Sequence, residues 1–212
     1  MLLWKSSCNE YVFSQKINSG IHIIFYKERK IMARKITITK DYIVNTAFQM
    51  TKQEGIENVT ARKLAAKANC STQPIFRSYE NMEDLYQELF RMANSFFSFY
   101  YERFPKEQSE PFVNLGYAYI RFAMEEKNLF RFLFLPERSY GKSTYEILNG
   151  EKGIVVAEFE KAKKDGCRNA GDLFTKMWIF VHGAACMATT GDYDLSDTET
   201  IKLLVDAYKA FK

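Results

Sequence analysis

Apolar positions recur at three- and four-residue spacing along most of the chain, and the first clear run lies between Thr39 and Glu54. There Ile43, Ala47 and Met50, with Val44 and Phe48 beside them, fall on one helical face; Thr39 is placed to cap the helix and Gly55 to stop it. A shorter helix, ARKLAAKA, follows behind Thr60, with Leu64, Ala65 and Ala68 inward and Arg62, Lys63 and Lys67 outward. Asn69, a residue that tolerates positive φ, and Cys70 form a tight turn. Ser71 then caps a third helix, TQPIFRSY, whose Pro74 stands in the first turn, where a missing N–H costs little. Asn81, with Asp84 three residues on, opens a long fourth helix that ends at Pro105.

Helical periods continue beyond it. A fifth helix is expected from near Pro111 through Tyr117, Ile120 and Met124, and Asn128 is expected to cap a short aromatic one, LFRFLFL, closed by Pro136. Residues 137–153, with Gly141, Gly150 and Gly153, read as turns, after which IVVAEFEKAKK resumes a helix that stops at Gly166. Residues 170–190 form the most apolar helix, containing WIFVHGAACM, and Thr198 to Phe211 a final amphipathic one with Ile201, Leu204, Val205 and Tyr208 on one side. Residues 1–31 show no sustained period, only short mixed runs such as Ile21 to Tyr26. The expected fold is all-α: an N-terminal extension (1–31), a three-helix module (32–80) and a larger helical domain (81–212).

Composition narrows this picture. Hydrophobic residues make up 47% of 212, enough for a proper core, and Gly and Pro together number only 14, which favours long helices over a turn-rich β architecture. The cysteines Cys8, Cys70, Cys167 and Cys186 are far apart and only two histidines accompany them, so neither a disulfide framework nor a metal site is expected. No apolar run approaches the roughly 18 residues that cross a bilayer, and a secretory signal pattern is missing from residues 1–31, which points to the cytoplasm and away from a membrane. The net charge of +4 is unevenly spread: residues 32–80 hold eight basic and four acidic residues, whereas residues 81–212 hold seventeen and twenty. A polyanion would be met first by the N-terminal part.

Two short helices joined by a tight turn, the first with small alanines on its packing face, have the layout of a DNA-binding helix-turn-helix. The run TARKLAAKANCSTQPIFRSYENMEDL, from Thr60 to Leu85, resembles the signature of tetracycline-repressor-like (TetR-like) regulators over about residues 39–86. In that family a Thr or Ser opens helix two, Ile/Leu-Ala-x-x-Ala follows, a Ser opens helix three, and an aromatic pair leads to a capped helix four. Three positions depart from the pattern: Asn69 stands where Gly is usual, Phe76 where Tyr is usual and Met82 where Lys is usual, the last two each removing a phosphate contact. The expected result is a weaker grip on the backbone, or compensation from the basic arm at Arg34 and Lys35, rather than loss of the fold.

Phosphate contacts position a DNA-binding protein and base-edge contacts give it specificity. Thr60, Lys40 and Arg62 are assigned to the backbone, Thr60 because its hydroxyl sits at a helix N-terminus. Ser71 opens the reading helix and Pro74 stiffens its start. Thr72, Gln73 and Arg77 are the candidates for the major groove, since Gln pairs with adenine, Arg with guanine and a Thr methyl with thymine; Phe76 is expected against sugar and backbone. The resemblance implies a ligand-responsive repressor acting as a homodimer on a near-palindromic double-stranded operator, with the last two helices (about 170–190 and 198–211) pairing with their mates. The W-x3-H-G spacing of Trp178, His182 and Gly183 also resembles a motif in one group of the family's C-terminal domains.

Phe96, Phe97, Tyr100, Tyr117, Phe130, Phe134, Trp178 and His182 are candidates to line a pocket for an apolar or amphipathic small-molecule effector. An aromatic stripe of this density also suits plain core, and His182 also suits a satisfied core histidine. No nucleophile, base and orienter arrangement appears, so neither an enzyme nor a cofactor is expected. The rival reading is a helical small-molecule or lipid-binding protein whose DNA module has low or lost affinity, for which Phe76 and Met82 are the signs. Lys27 to Lys30 can all be encoded by purines at the spacing of a ribosome-binding site before Met32, so translation is expected to begin there. Intact-mass measurement of protein expressed from the native gene should show residues 1–31 missing; their retention refutes this start.

Overall fold

The computed structural model describes residues 13–16, 22–25, 38–135 and 154–212. From residue 38 onward every regular element in this set is helical: α1 (Lys40–Glu54), a 3-10 turn (Ile56–Asn58), α2 (Ala61–Lys67), α3 (Gln73–Ser78), α4 (Met82–Arg103), α5 (Val113–Glu125), α6 (Lys127–Phe134), α7 (Ile154–Lys164), α8 (Ala170–Thr190) and α9 (Asp197–Phe211). The all-α expectation holds for this body. Ahead of it two short strands, β1 (Phe13–Lys16) and β2 (His22–Phe25), pair antiparallel with Phe13 opposite Phe25. Alternation over four residues is too short to stand out from mixed sequence. The basic arm at Arg34 and Lys35 and the turns expected at 137–153 lie outside the described residues.

Side-chain caps set several helix starts. Thr39 Oγ1 accepts from the Tyr42 N–H at 3.1 Å, Asn81 Oδ1 from Asp84 at 3.1 Å and Asn169 Oδ1 from Asp172 at 3.1 Å. Ser196 and Glu199 form a reciprocal capping box, which starts α9 at Asp197, one residue before the expected Thr198. At the other end of α1, Gly55 has φ 89° and its N–H donates to the Thr51 carbonyl.

One expected cap fails for an identifiable reason, and one helix start is set by distant contacts. Asn128 lies inside α6, whose N-cap position is held by Glu126 without a side-chain bond; its amide instead donates to the Lys52 carbonyl at the end of α1, at 3.0 Å. A helix end offers carbonyls with no partner of their own, and this amide meets one. Helix α5 begins at Val113, two residues beyond Pro111, because Phe112 is left-handed, with φ 65°. That conformation is costly for a bulky residue. It is held by the Phe112 N–H donating to Glu158 Oε2 at 2.8 Å and by ring contacts to Phe159 and Phe174, both at 5.6 Å between centroids. Glu158 is 1% exposed; its other oxygen takes Lys161 Nζ at 2.6 Å and the Tyr101 hydroxyl at 3.5 Å. A buried carboxylate therefore ties together α4, the start of α5 and α7.

One continuous core runs from Ile43 in α1 to Tyr208 in α9. The three-helix module shares it with the larger domain. Helix α1 packs on α6 as well as α4, and Lys52 pairs with Glu126 at 2.6 Å while lying 4.8 Å over the Phe96 ring. Helix α5 lies against α8 most closely at Gly116, where a β-carbon would stand 2.8 Å from Val181 Cγ2. Phe97, fully buried, meets Phe122, Phe134 and Tyr119 at centroid distances of 5.0, 5.2 and 6.0 Å, all edge-on. Phe97→Ala should lower stability by about 3–5 kcal/mol in urea unfolding. A loss below about 1 kcal/mol would mean that the cluster can collapse around the gap and is not the rigid centre described here.

Candidate nucleic-acid interface

The module between Thr60 and Tyr79 follows from local chemistry. Thr60 Oγ1 accepts from the Lys63 N–H at 3.3 Å, which starts α2 and leaves the hydroxyl proton available to another acceptor. The Tyr86 hydroxyl of α4 donates to the Val59 carbonyl at 2.8 Å, fixing the backbone just ahead of that cap. Leu64, Ala65 and Ala68 face inward and Arg62, Lys63 and Lys67 outward, as their spacing predicts. Asn69 takes φ 51°, and the Cys70 N–H donates to the Ala65 carbonyl at 2.9 Å, closing the turn. Small alanines keep the approach of α2 to α3 short.

Helix α3 departs from expectation at its start. Thr72, not Ser71, holds the N-cap position; its carbonyl accepts from the Phe76 N–H at 3.2 Å and its side chain makes no cap bond. Thr72 already has helical φ and ψ, so the turn itself supplies the first helical residue. Ser71 is exposed one residue earlier. Within α3, Ile75 is fully buried while Gln73, Phe76 and Arg77 are exposed, Phe76 to 50%. Pro74 sits in the first turn and Thr72 is half-buried beside it. Tyr79 at the C-cap is 5% exposed and belongs to the core.

The cations around this surface differ in what holds them. Neither Arg62 nor Arg77 pairs with a carboxylate among the described residues. Lys63 Nζ donates to Asn58 Oδ1 at 2.6 Å, and Lys67 lies 3.4 Å from Glu54. Lys40 is engaged twice: Nζ is 2.8 Å from Glu88 Oε2 and 4.8 Å from the centroid of the Tyr79 ring. A phosphate approaching Lys40 would therefore meet an ammonium group whose charge Glu88 already compensates.

Residues 43–89 match the family model described as bacterial regulatory proteins, tetR family. Over this segment the chain is similar to the TetR family. The fold extends the likeness beyond that segment. A TetR family protein from Vibrio parahaemolyticus superposes with a TM-score of 0.60 at 18% identity, covering 81% of this chain and 97% of its own. A TetR family member from Streptomyces coelicolor A3 gives 0.50 at 15% identity, over 79% and 96%. At such identities the likeness is one of fold. No curated protein sequence matches this one. Within the matched segment, α2, the turn and α3 form the helix-turn-helix.

The aromatic candidates of the larger domain form one connected set of rings. Phe130 and Phe134 are buried and pack on Tyr119 at 5.1 and 4.8 Å. Phe96 reaches Phe48 and Phe122, and Tyr100 reaches Phe122 and Phe104, the latter also touching Tyr117; these three candidates are half-buried. His182 Nδ1 is 2.9 Å from the Tyr119 hydroxyl, its ring lies between Trp178 and Phe130, and burial pushes its pKa down, favouring the neutral imidazole. The space beside Trp178 is about 20 Å³, lined by apolar groups, and the Trp178 Nε1 has no hydrogen-bond partner among the described residues. Tyr119, Glu158 and Glu88 carry no signal in sequence, because each acts through a partner dozens of residues away. No group of acidic, His or Cys residues suited to a metal occurs among the described residues, and no helix there is long and apolar enough to cross a membrane.

Because Phe76 is presented and Ile75 is packed, Ile75→Ala should cost about 2–5 kcal/mol of stability and Phe76→Ala less than about 0.5. Thermal or urea unfolding of the two variants checks this. Equal losses would place Phe76 in the core.

Proposed function

We propose that the chain is a cytoplasmic, ligand-responsive repressor that binds a near-palindromic operator as a homodimer, with residues 32–80 reading DNA and residues 81–212 dimerising and binding the effector. One observation carries the DNA-reading part: Gln73 and Arg77 stand exposed on the opposite side of α3 from buried Ile75, while Arg62 and the Thr60 hydroxyl project from the start of α2. Gln73, Arg77 and the Thr72 methyl read base edges; Thr60 and Arg62 grip phosphate, with Ser71, Pro74 and Phe76 against the backbone beside them.

Dimerisation is supported by the free side of α8 and α9. Ile179, Met187 and Leu203 are 62%, 49% and 37% exposed, and they border a groove of about 520 Å³ with Gly183 at its floor and open space above it. Apolar side chains at this density on the outside of two adjacent helices fit a second copy of the same pair. Two readers then meet successive major grooves about one turn apart.

The effector reading rests on the aromatic cluster. Drug-sized ligands need roughly 300–1,000 Å³. The void beside Trp178 is far smaller, so a ligand must displace rings, among them Tyr119, which lines the void and packs edge-on against Phe97 of α4. Since Tyr86 of α4 also holds the Val59 carbonyl just ahead of α2, opening the cluster biases the spacing of the readers, and operator affinity falls through differential binding to two states.

Gln73→Ala should relax preference at one base position with the salt slope unchanged, whereas Arg62→Ala should weaken all sequences alike and lower the slope by about one. Quantitative binding at several salt concentrations, on duplexes selected from a random library, separates the two. Identical effects would remove the division of labour, and failure to bind any duplex at low salt would favour a small-molecule or lipid-binding protein. Ile179→Asp should shift the chain from dimer to monomer in sedimentation; an unchanged dimer would place the interface elsewhere.

A further inference from the structure

We propose that Lys40 is a positioning residue that clamps the C-terminal end of the reading helix α3 to α4, through Glu88 and the face of Tyr79, and does not itself hold DNA phosphate. The inference rests on the DNA-reading role proposed above for α3 and concerns how that helix is held. Lys40 is the first residue of α1, Tyr79 is the C-cap of α3 and Glu88 lies in α4, so one ammonium group joins three helices. Its Nζ is 2.8 Å from Glu88 Oε2 and 4.8 Å from the centre of the Tyr79 ring, within cation–π range.

The asymmetry of exposure decides between clamp and phosphate contact. The Lys40 side chain is 51% exposed, but that of Glu88 only 12%. Moving the ammonium to a phosphate would exchange one anion for another and leave a largely covered carboxylate without its counter-charge, facing the negative field of the duplex. Beneath the ammonium the Tyr79 hydroxyl makes no hydrogen bond of normal geometry. Its pKa is pushed up by burial first and by the Glu88 charge next; Asp41 and Arg91 are the other charged groups that act on it, in opposite directions. Lys40 thus neutralises Glu88 where an uncompensated charge would bear on a buried ring. It also holds the end of α3 whose last backbone bond is the Tyr79 N–H to the Ile75 carbonyl, 2.9 Å.

The test compares Lys40→Gln, Glu88→Gln and Lys40→Arg in the full chain. The probes are a duplex selected from a random library by the unmodified protein and a random-sequence duplex. The clamp predicts that Lys40→Gln and Glu88→Gln each weaken the selected duplex by a similar factor, roughly 3- to 10-fold. Their salt slopes stay at the unmodified value, and Lys40→Arg, which keeps the charge and the ring contact, restores affinity. In the free protein, amide exchange at Ile75 to Tyr79 should quicken in both Gln variants and not in Lys40→Arg, a readout independent of DNA. The proposal is overturned if Lys40→Gln alone lowers the salt slope by about 0.9 while Glu88→Gln tightens binding, the signature of a phosphate contact that Glu88 had been restraining. Unchanged affinity and exchange in both Gln variants also overturn it. If the unmodified protein selects no duplex, the DNA-reading role itself fails and this inference falls with it; if it selects one and the variants behave as in either overturning case, only the clamp fails.

Discussion

A single helix, α4, contributes its apolar stripe to both ends of the molecule, and the rest of the fold is arranged around that constraint. Near its start Tyr86 holds the backbone that precedes α2, and Glu88 pairs with Lys40 at the start of α1. Three turns on, Phe96 and Phe97 enter the aromatic cluster formed with α1, α5 and α6. A 22-residue helix with Leu85, Leu89, Phe90, Met92, Ala93, Phe97 and Tyr101 buried behaves as a rigid element, because each shift at one end must repack the other. The helix-turn-helix and the larger domain are therefore not independent bodies joined by a tether. The core is continuous between them, and the Lys52 to Glu126 pair and the Asn128 amide add polar ties from α1 to the α5–α6 corner.

That continuity gives physical content to the idea of a ligand-responsive reader. Tight edge-on and tilted packing of Phe97, Tyr119, Phe122, Phe130 and Phe134 leaves little free volume, so any apolar molecule entering there must move rings, Phe97 among them, that share α4 with Tyr86 and Glu88. His182 and Tyr119 satisfy one another at the edge of this cluster, and burial favours the neutral imidazole, so the region presents no fixed charge to a guest. Trp178, with an indole N–H that finds no partner among the described residues, is the polar exception.

What was legible in the sequence was what is local. Thr39, Thr60 and Asn81 cap the helices they precede, Asn69 takes the positive φ its residue type allows, and the buried set Ile43, Val44, Ala47, Phe48 and Met50 follows from spacing alone. The outward set on α2 and α3 was legible for the same reason, and with it the family likeness. Failures occur where a polar residue had two uses. Asn128 has the chemistry of a cap but is taken by a carbonyl of α1, and Ser71 is passed over because the turn makes Thr72 helical first. Charged groups whose partners are distant in sequence were invisible: Glu158 under Phe112, and Glu88, which pairs with Lys40. The left-handed Phe112 has no local cause at all, being imposed by the rings and the carboxylate around it.

In the proposed dimer, two copies of α3 present Gln73 and Arg77 to DNA with the spacing of one helical turn. Hydroxyl-radical footprinting of the full chain on a selected duplex tests it most directly. Two protected patches related by two-fold symmetry are expected, centred about 10 base pairs apart or a multiple of that, and lost together as salt is raised. A single protected patch, or uniform weak protection with no dependence on sequence at low salt, would contradict it.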